Sequence, residues 1–181
     1  MKFIPTKIEG VLVVEPEVFG DSRGFFYESY RKDEFLKNGI RGEFVQDNRS
    51  RSAKGVLRGL HYQLDPYAQA KLVTVTRGKA FDVAVDMRPG SKTFGRHVSE
   101  ILTAENKKMI YIPEGFAHGF LSLEDGTEFF YKVSKPYSPA HERGILWNDP
   151  GISIPWPTLE TDYVISEKDK KFIRLKEFTE G

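Results

Sequence analysis

Few side chains in this sequence can move protons at neutral pH, and they lie far apart along the chain. The first is His61, in "LRGLHYQL" (Leu57 to Leu64), three residues after Arg58. Imidazole ordinarily titrates near ~6.5, which suits a general base. A histidine in a strand is more often a packed or surface residue. As a metal ligand it would need two or three nitrogen or oxygen partners at close range. A metal-binding barrel commonly offers His-x-His on one strand, but Tyr62 and Gln63 follow His61 here. His118 has no second histidine beside it, and His97 and His141 read as loop residues. There is no cysteine, so thiolate nucleophiles, disulfides and Cys-ligated zinc or iron–sulfur centres are excluded. A base at His61 would need a carboxylate to orient its ring, a separate acid, and cations to stabilise an anion.

Residues of those types are present. Tyr131, in "EFFYKVSKPY", shares strand parity with Phe129 and Val133. Such a face is ordinarily core, yet an inward tyrosine can also supply a proton to a cavity. Asp169 stands three residues after Ser166, the spacing of a helix capping box, which is an ordinary structural role. "GDSRGFFYES" groups Arg23, Phe26 and Glu28, either as a turn between strands or as an arginine for phosphate with an aromatic ring nearby. "VQDNRS" offers the amides of Gln46 and Asn48, which read as loop residues. "PEGFAHGF" reads as a tight turn with His118 at the mouth of the next strand.

The elements that must position these residues are mainly β. "KLVTVTRG" and "KAFDVAVDMRPG" alternate apolar with polar or small residues, and "KKMIYIPEG", "GFLSLEDG" and "TEFFYKVSKPY" are further runs. Turn glycines at Gly78, Gly90, Gly115 and Gly126 punctuate them at the rhythm of a sandwich or barrel. Helix signals are confined to the ends. "YRKDEFLKNG" is a short helix stopped by Gly39, and "SEKDKKFIRL" predicts a C-terminal helix. Pro155 and Pro157 separate that tail, roughly residues 158–181, from a β body of roughly residues 1–157. The expectation is one domain, a mostly antiparallel double sheet such as a jelly roll, with room for a small ligand inside.

Composition narrows the partners. At 181 residues and a net charge of +1, nothing draws the chain to nucleic acid or a membrane surface. An anionic ligand would have to be met by locally placed arginines and lysines. The start, "MKFIPTKIEGVLVVEP", lacks the apolar core of a signal peptide. No run approaches the roughly 20 apolar residues of a membrane helix. A cytoplasmic protein is expected.

Taken in order, "DSRGFFYES", "VQDNRS", "GVLRGLHYQ", "FDVAVDMRPGSKTFG", "IPEGFAHGF", "YKVSKPYSPAHERGILWNDP" and "IPWP" resemble the dTDP-4-dehydrorhamnose 3,5-epimerase family. With the "SEKD" stretch they span roughly residues 5 to 172. The resemblance implies a cupin-type jelly roll, a homodimer, and a site inside the barrel without metal or organic cofactor. It implies the substrate dTDP-4-keto-6-deoxy-D-glucose and the product dTDP-4-keto-L-rhamnose. By the same resemblance His61 is the catalytic base, Asp169 its partner and Tyr131 the acid on the opposite side of the sugar. Lys71 would lie near the keto oxygen. Arg23, Phe26, Gln46, Asn48, Arg58, His118, Glu142 and Lys168 fall at substrate-binding positions, with Glu28 and Tyr137 around the thymidine end. Relatives that invert only carbon 3 or only carbon 5 share these motifs. A non-catalytic sugar-nucleotide-binding cupin and a metal-dependent cupin enzyme are more distant readings.

Overall fold

Two sheets built from alternating sequences face each other across an apolar interior. The computed structural model describes residues 1–179. Its strands are β1 (Lys2–Pro5), β2 (Leu12–Glu15), β3 (Val18–Asp21), β4 (Gly24–Tyr27), β5 (Gln46–Ser52), β6 (Val56–Gln63) and β7 (Lys71–Arg77). Then follow β8 (Lys79–Asp86), β9 (His97–Thr103), β10 (Met109–Ile112), β11 (Phe116–Ser122), β12 (Thr127–Val133), β13 (Glu142–Gly144) and β14 (Val164–Ile165). The first sheet runs β1-β2-β10-β7-β12-β5. The second runs β13-β6-β11-β8-β9, with β14 added in parallel to β6. All other strand pairs are antiparallel, and β3 and β4 form a separate ribbon. The architecture is the expected jelly roll.

The interior draws on both sheets. Val73, Val75, Ile110 and Phe129 from the first meet Ala80, Ala84, Phe116 and Phe120 from the second. The rings of Phe120 and Phe129 stack at 4.1 Å. Truncating a buried ring of this kind costs about 3–5 kcal/mol. Outside the first sheet, Phe35 of helix α1 (Lys32–Lys37) packs edge-on against Phe3 and Tyr30. Outside the second sheet lie Trp147, Trp156, Tyr163 and Ile165 from the C-terminal third.

Most of the expected elements are where the pattern put them, and Gly78, Gly90, Gly115 and Gly126 all have positive φ. Three differ. "VQDNRS" is not a loop but strand β5 at the sheet edge, paired along its length with β12. Its inward residues, Gln46, Asn48, Ser50 and Ser52, are polar, so no apolar alternation announces it. His97 opens strand β9 and is not a loop residue. The tail is not one continuous helix. It contains β14, a 3₁₀ turn over Asp169–Lys171, an extended link, and helix α2 (Leu175–Thr179). Glu180 and Gly181 lie outside the described residues.

The tail departs from helix because other partners satisfy its backbone. The Ser166 hydroxyl accepts from the Asp169 N–H at 3.1 Å, the first half of a capping box. The Asp169 carboxylate does not complete the box and turns to the second sheet instead. Beyond it, the Leu146 N–H donates to the Ile173 carbonyl, and Asp149 accepts from the Leu175 N–H at 2.9 Å. Asp149, in "WNDP", is buried and so ties the tail down.

Candidate active site

Gly59 governs the approach to the site on β6. It has φ of +126°, and a Cβ there would lie 2.5 Å from the Cα of Gly119 on β11. Only glycines permit this contact, and the β6–β11 register shifts there between His118 and Phe120. The Gly59 N–H donates to Asp169 Oδ2 at 3.1 Å. His61 follows, and its Nε2 lies 2.8 Å from Asp169 Oδ1. Gly144, opposite His61 on β13, leaves room for the Phe172 ring, which meets the His61 ring edge-on at 5.4 Å. His61 is thus held by a carboxylate on one nitrogen and an aromatic ring at its edge.

Charge assigns the tautomer. Burial pushes the Asp169 carboxyl up, but the bonds from His61 and Gly59 outweigh it and hold the group below its ordinary range. An ionised carboxylate only accepts, so Nε2 carries the proton and Nδ1 keeps its lone pair. Nδ1 has no hydrogen-bond partner among the described residues.

A cavity of about 350 Å³ opens beside His61. Gln46 and Asn48 of β5, Lys71 of β7, and Tyr131 of β12 line it from the first sheet. Tyr62, Gln63 and Glu142 line it from the second, with Gln69, Tyr137 and Lys168 at its edge. The Tyr131 hydroxyl has no hydrogen-bond partner among the described residues. Burial raises its pKa, opposed by Arg58 and aided by Glu142, so it stays protonated at neutral pH. Lys71 is buried, and its Nζ reaches the His61 carbonyl at 3.5 Å. Burial lowers its pKa to about 8, against the pull of Asp82 and Glu142.

At the rim, Glu142 accepts from Lys168 at 2.9 and 3.0 Å and from the Tyr137 hydroxyl at 2.9 Å. Burial raises the Glu142 pKa, but these donors outweigh it and the net shift is downward. Gln46 donates to Asn48 Oδ1 and accepts from the Tyr137 N–H. Gln63 accepts from the Ser138 N–H at 2.7 Å and donates to the carbonyls of Tyr67 and Pro136, fixing the loop that carries Tyr137.

The structure therefore brings His61, Tyr131, Gln46, Asn48, Lys71, Tyr137, Glu142 and Lys168 to one cavity, with Asp169 behind His61. Arg58 is exposed, with its Nε on Ser52, close enough to Tyr131 to influence it. His118 does not line the cavity. It is buried, with Nε2 2.7 Å from Asp82 Oδ2. Arg23, Phe26 and Glu28 stand apart on and beside the β3–β4 ribbon. Arg23 pairs with Asp21, Glu28 with Arg31, and Phe26 is 69% exposed.

Sequence reasoning missed Gln63, Phe172 and Asp82. The parity of Gln63 with His61 was a usable signal. Asp82, on the inward face of β8 with Ala80 and Ala84, was another. Nothing in "KKFIRL" marks Phe172. A larger cleft, about 750 Å³, lies outside the second sheet between β13 and the tail. It shares only Tyr62 and Glu142 with the first cavity and contains neither His61, Tyr131 nor Lys71, so the side chains able to move protons converge on the smaller one. Among the described residues no three His, Asp or Glu side chains converge as metal ligands would, and no helix is long and apolar enough to cross a membrane.

Comparison with known proteins agrees along the chain. The family model described as dTDP-4-dehydrorhamnose 3,5-epimerase matches residues 5–177. The Shigella flexneri enzyme of that name is 55% identical over 177 residues, covering 96% of this chain and 97% of that protein. The crystal structure of the dTDP-6-deoxy-D-glucose-3,5-epimerase from Legionella pneumophila, in complex with dTDP-4-keto-L-rhamnose, is 48% identical with a TM-score of 0.93. The match covers 97% of this chain and 93% of that one. A 3'-monoepimerase from Streptomyces bikiniensis, in complex with dTDP-quinovose, superposes with a TM-score of 0.90 at 36% identity. It covers 96% of this chain and 87% of that one.

Proposed function

The chain belongs to the dTDP-4-dehydrorhamnose 3,5-epimerase family, and on that premise we propose that it epimerises carbons 3 and 5 of dTDP-4-keto-6-deoxy-D-glucose. The product is dTDP-4-keto-L-rhamnose. Both carbons neighbour the carbon-4 ketone, so a proton can leave either one as charge passes to the ketone oxygen. Inversion then needs a proton delivered to the opposite face. His61 Nδ1 takes the first proton, and Asp169 stabilises the imidazolium that forms. The Tyr131 hydroxyl gives the second. Imidazolium and phenolate then exchange with solvent before the next inversion.

Lys71 faces the enolate oxygen. Losing a donor of this kind costs on the order of 3 kcal/mol of barrier. This ammonium takes the electrophile's part, and the reaction as we read it uses no metal or organic cofactor. Arg58 meets the pyrophosphate. Gln46, Asn48, Glu142 and Lys168 position the substrate, with Tyr137 beside the thymidine. The observation that carries the reading is one cavity with a free imidazole nitrogen, an unpartnered phenol and a buried lysine.

The enzyme is read further as a single-domain, cytoplasmic homodimer. The β3–β4 ribbon exposes Phe25 (63%) and Phe26 (69%) and holds Arg23 away from its own cavity, which suits a segment that completes a neighbour's site. Sedimentation should give a dimer at micromolar concentration; a fully active monomer would sink this part.

The reaction is tested by incubation with dTDP-4-keto-6-deoxy-D-glucose in deuterated water, with and without a chelator. NMR of the product should show inversion and deuterium at both carbons, unaffected by the chelator. Deuterium at one carbon only would make the protein a single epimerase. No inversion at all would overturn the proposal.

A further inference from the structure

The second sheet carries another histidine–aspartate pair that the reaction above does not use. Asp82 is 0% exposed, and its Oδ1 is the one buried side-chain oxygen or nitrogen without a hydrogen-bond partner among the described residues. Its Oδ2 is taken by His118. Asp82 shares its strand face with Ala80 and Ala84, which belong to the interior between the sheets. Lys71 shares its face with Val73 and Val75, which belong to the same interior. The Lys71 ammonium has three donors, and among the described residues only one long bond, to the His61 carbonyl, uses them. A buried anion with a spare acceptor and a buried cation with spare donors therefore occupy one interior.

The other charges around Lys71 do not fill the role. His61 on β6 becomes cationic when it accepts a proton. His118 on β11 is kept neutral, first by burial and then by Lys71 and His61, with Asp82 opposing them. Tyr131 on β12 is neutral. Glu142 on β13 is already occupied by Lys168 and Tyr137. We propose that Asp82 is a positioning residue for the reaction: it is the buried counter-ion of Lys71, holding the ammonium at the cavity floor where the enolate oxygen forms. His118 orients the Asp82 carboxylate and leaves Oδ1 to the lysine. This deepens the epimerase reading and rests on it.

The consequence is a pH limb. Lys71 titrates at about 8 with Asp82 raising it. Without Asp82 it must deprotonate at lower pH, and activity that needs the ammonium falls off sooner as pH rises. Asp82→Asn, near-isosteric and still an acceptor for His118, should move the alkaline limb of kcat/KM down by about one pH unit. The loss at pH 8 should exceed the loss at pH 6 by about fivefold. NMR of isotope-labelled lysine, with Lys71 assigned through Lys71→Arg, should show the same downward move without substrate. His118→Gln keeps the Asp82 charge and should leave the Lys71 titration in place. If Asp82→Asn does not fold, Asp82→Ser removes the charge with less bulk and serves instead. An unmoved Lys71 titration, or an equal move in His118→Gln, would overturn the proposal. If the wild type fails to turn over the sugar nucleotide, the epimerase reading falls, while the lysine titration still decides the role of Asp82.

Discussion

His61 and His118 stand opposite each other in the β6–β11 register, and each has an aspartate within 2.8 Å of its Nε2. The resemblance between the two pairs ends there. His61 keeps about a quarter of its side chain exposed and turns Nδ1 free, whereas His118 is buried beside Phe129. Asp169 arrives from the tail and is satisfied on both oxygens by His61 and Gly59. Asp82 sits mid-strand, buried on all sides, with one oxygen unpartnered among the described residues. The difference teaches that a histidine–aspartate pair does not by itself specify a base. Access to the cavity leaves the first pair a ring nitrogen open to a ligand, and burial closes the second pair off from one.

The comparison is broken hardest at His61. His61→Ala should abolish both epimerisation and deuterium exchange, a loss of about 100- to 10,000-fold or more, because proton removal has no acceptor. Asp169→Asn should come next, since the imidazole remains without its tautomer and imidazolium partner. Tyr131→Phe should spare exchange most. Inversion falls strongly, but His61 can return a deuteron to the face it came from, so label enters with retained configuration. NMR of recovered substrate and product separates the three. Near-normal turnover by His61→Ala would return that residue to a packing role, and a fully active Tyr131→Phe would do the same for Tyr131.

The smallest effect belongs to the sealed pair. Burial holds the His118 pKa below that of an unfolded histidine. The unfolded chain therefore binds more protons as pH falls below ~6.5, and stability must decline there. Thermal melts between pH 7 and pH 5 should show that slope, and His118→Gln should flatten it. An unchanged slope in the variant would mean that other groups set the acid sensitivity.

Much of this was legible in one dimension. The alternation in "KLVTVTRG" and "KAFDVAVD" and the glycine turns specify a double sheet, because side-chain direction has period two in a strand. Tyr131 could be placed inward by its parity with Phe129. The strand β5 could not be read, since its inward residues are amides and hydroxyls that favour no secondary structure. The tail was misread for a related reason: Ser166 and Asp169 have helix-cap spacing, and only the neighbouring sheet redirects the carboxylate.

Composition and local pattern determined a cysteine-free, mainly β chain of nearly balanced charge, and the order of its motifs determined the family it resembles. Only the tertiary structure decided which histidine is free to act. That choice depends on Asp169 meeting His61 across 108 residues, on Gly59 and Gly119 touching, and on Phe172 filling the space left by Gly144. Each is a contact between segments distant in sequence. Burial and electrostatics arise from such contacts and have no signature in residue spacing, so the chemistry of two similar pairs could be told apart only once the chain had folded.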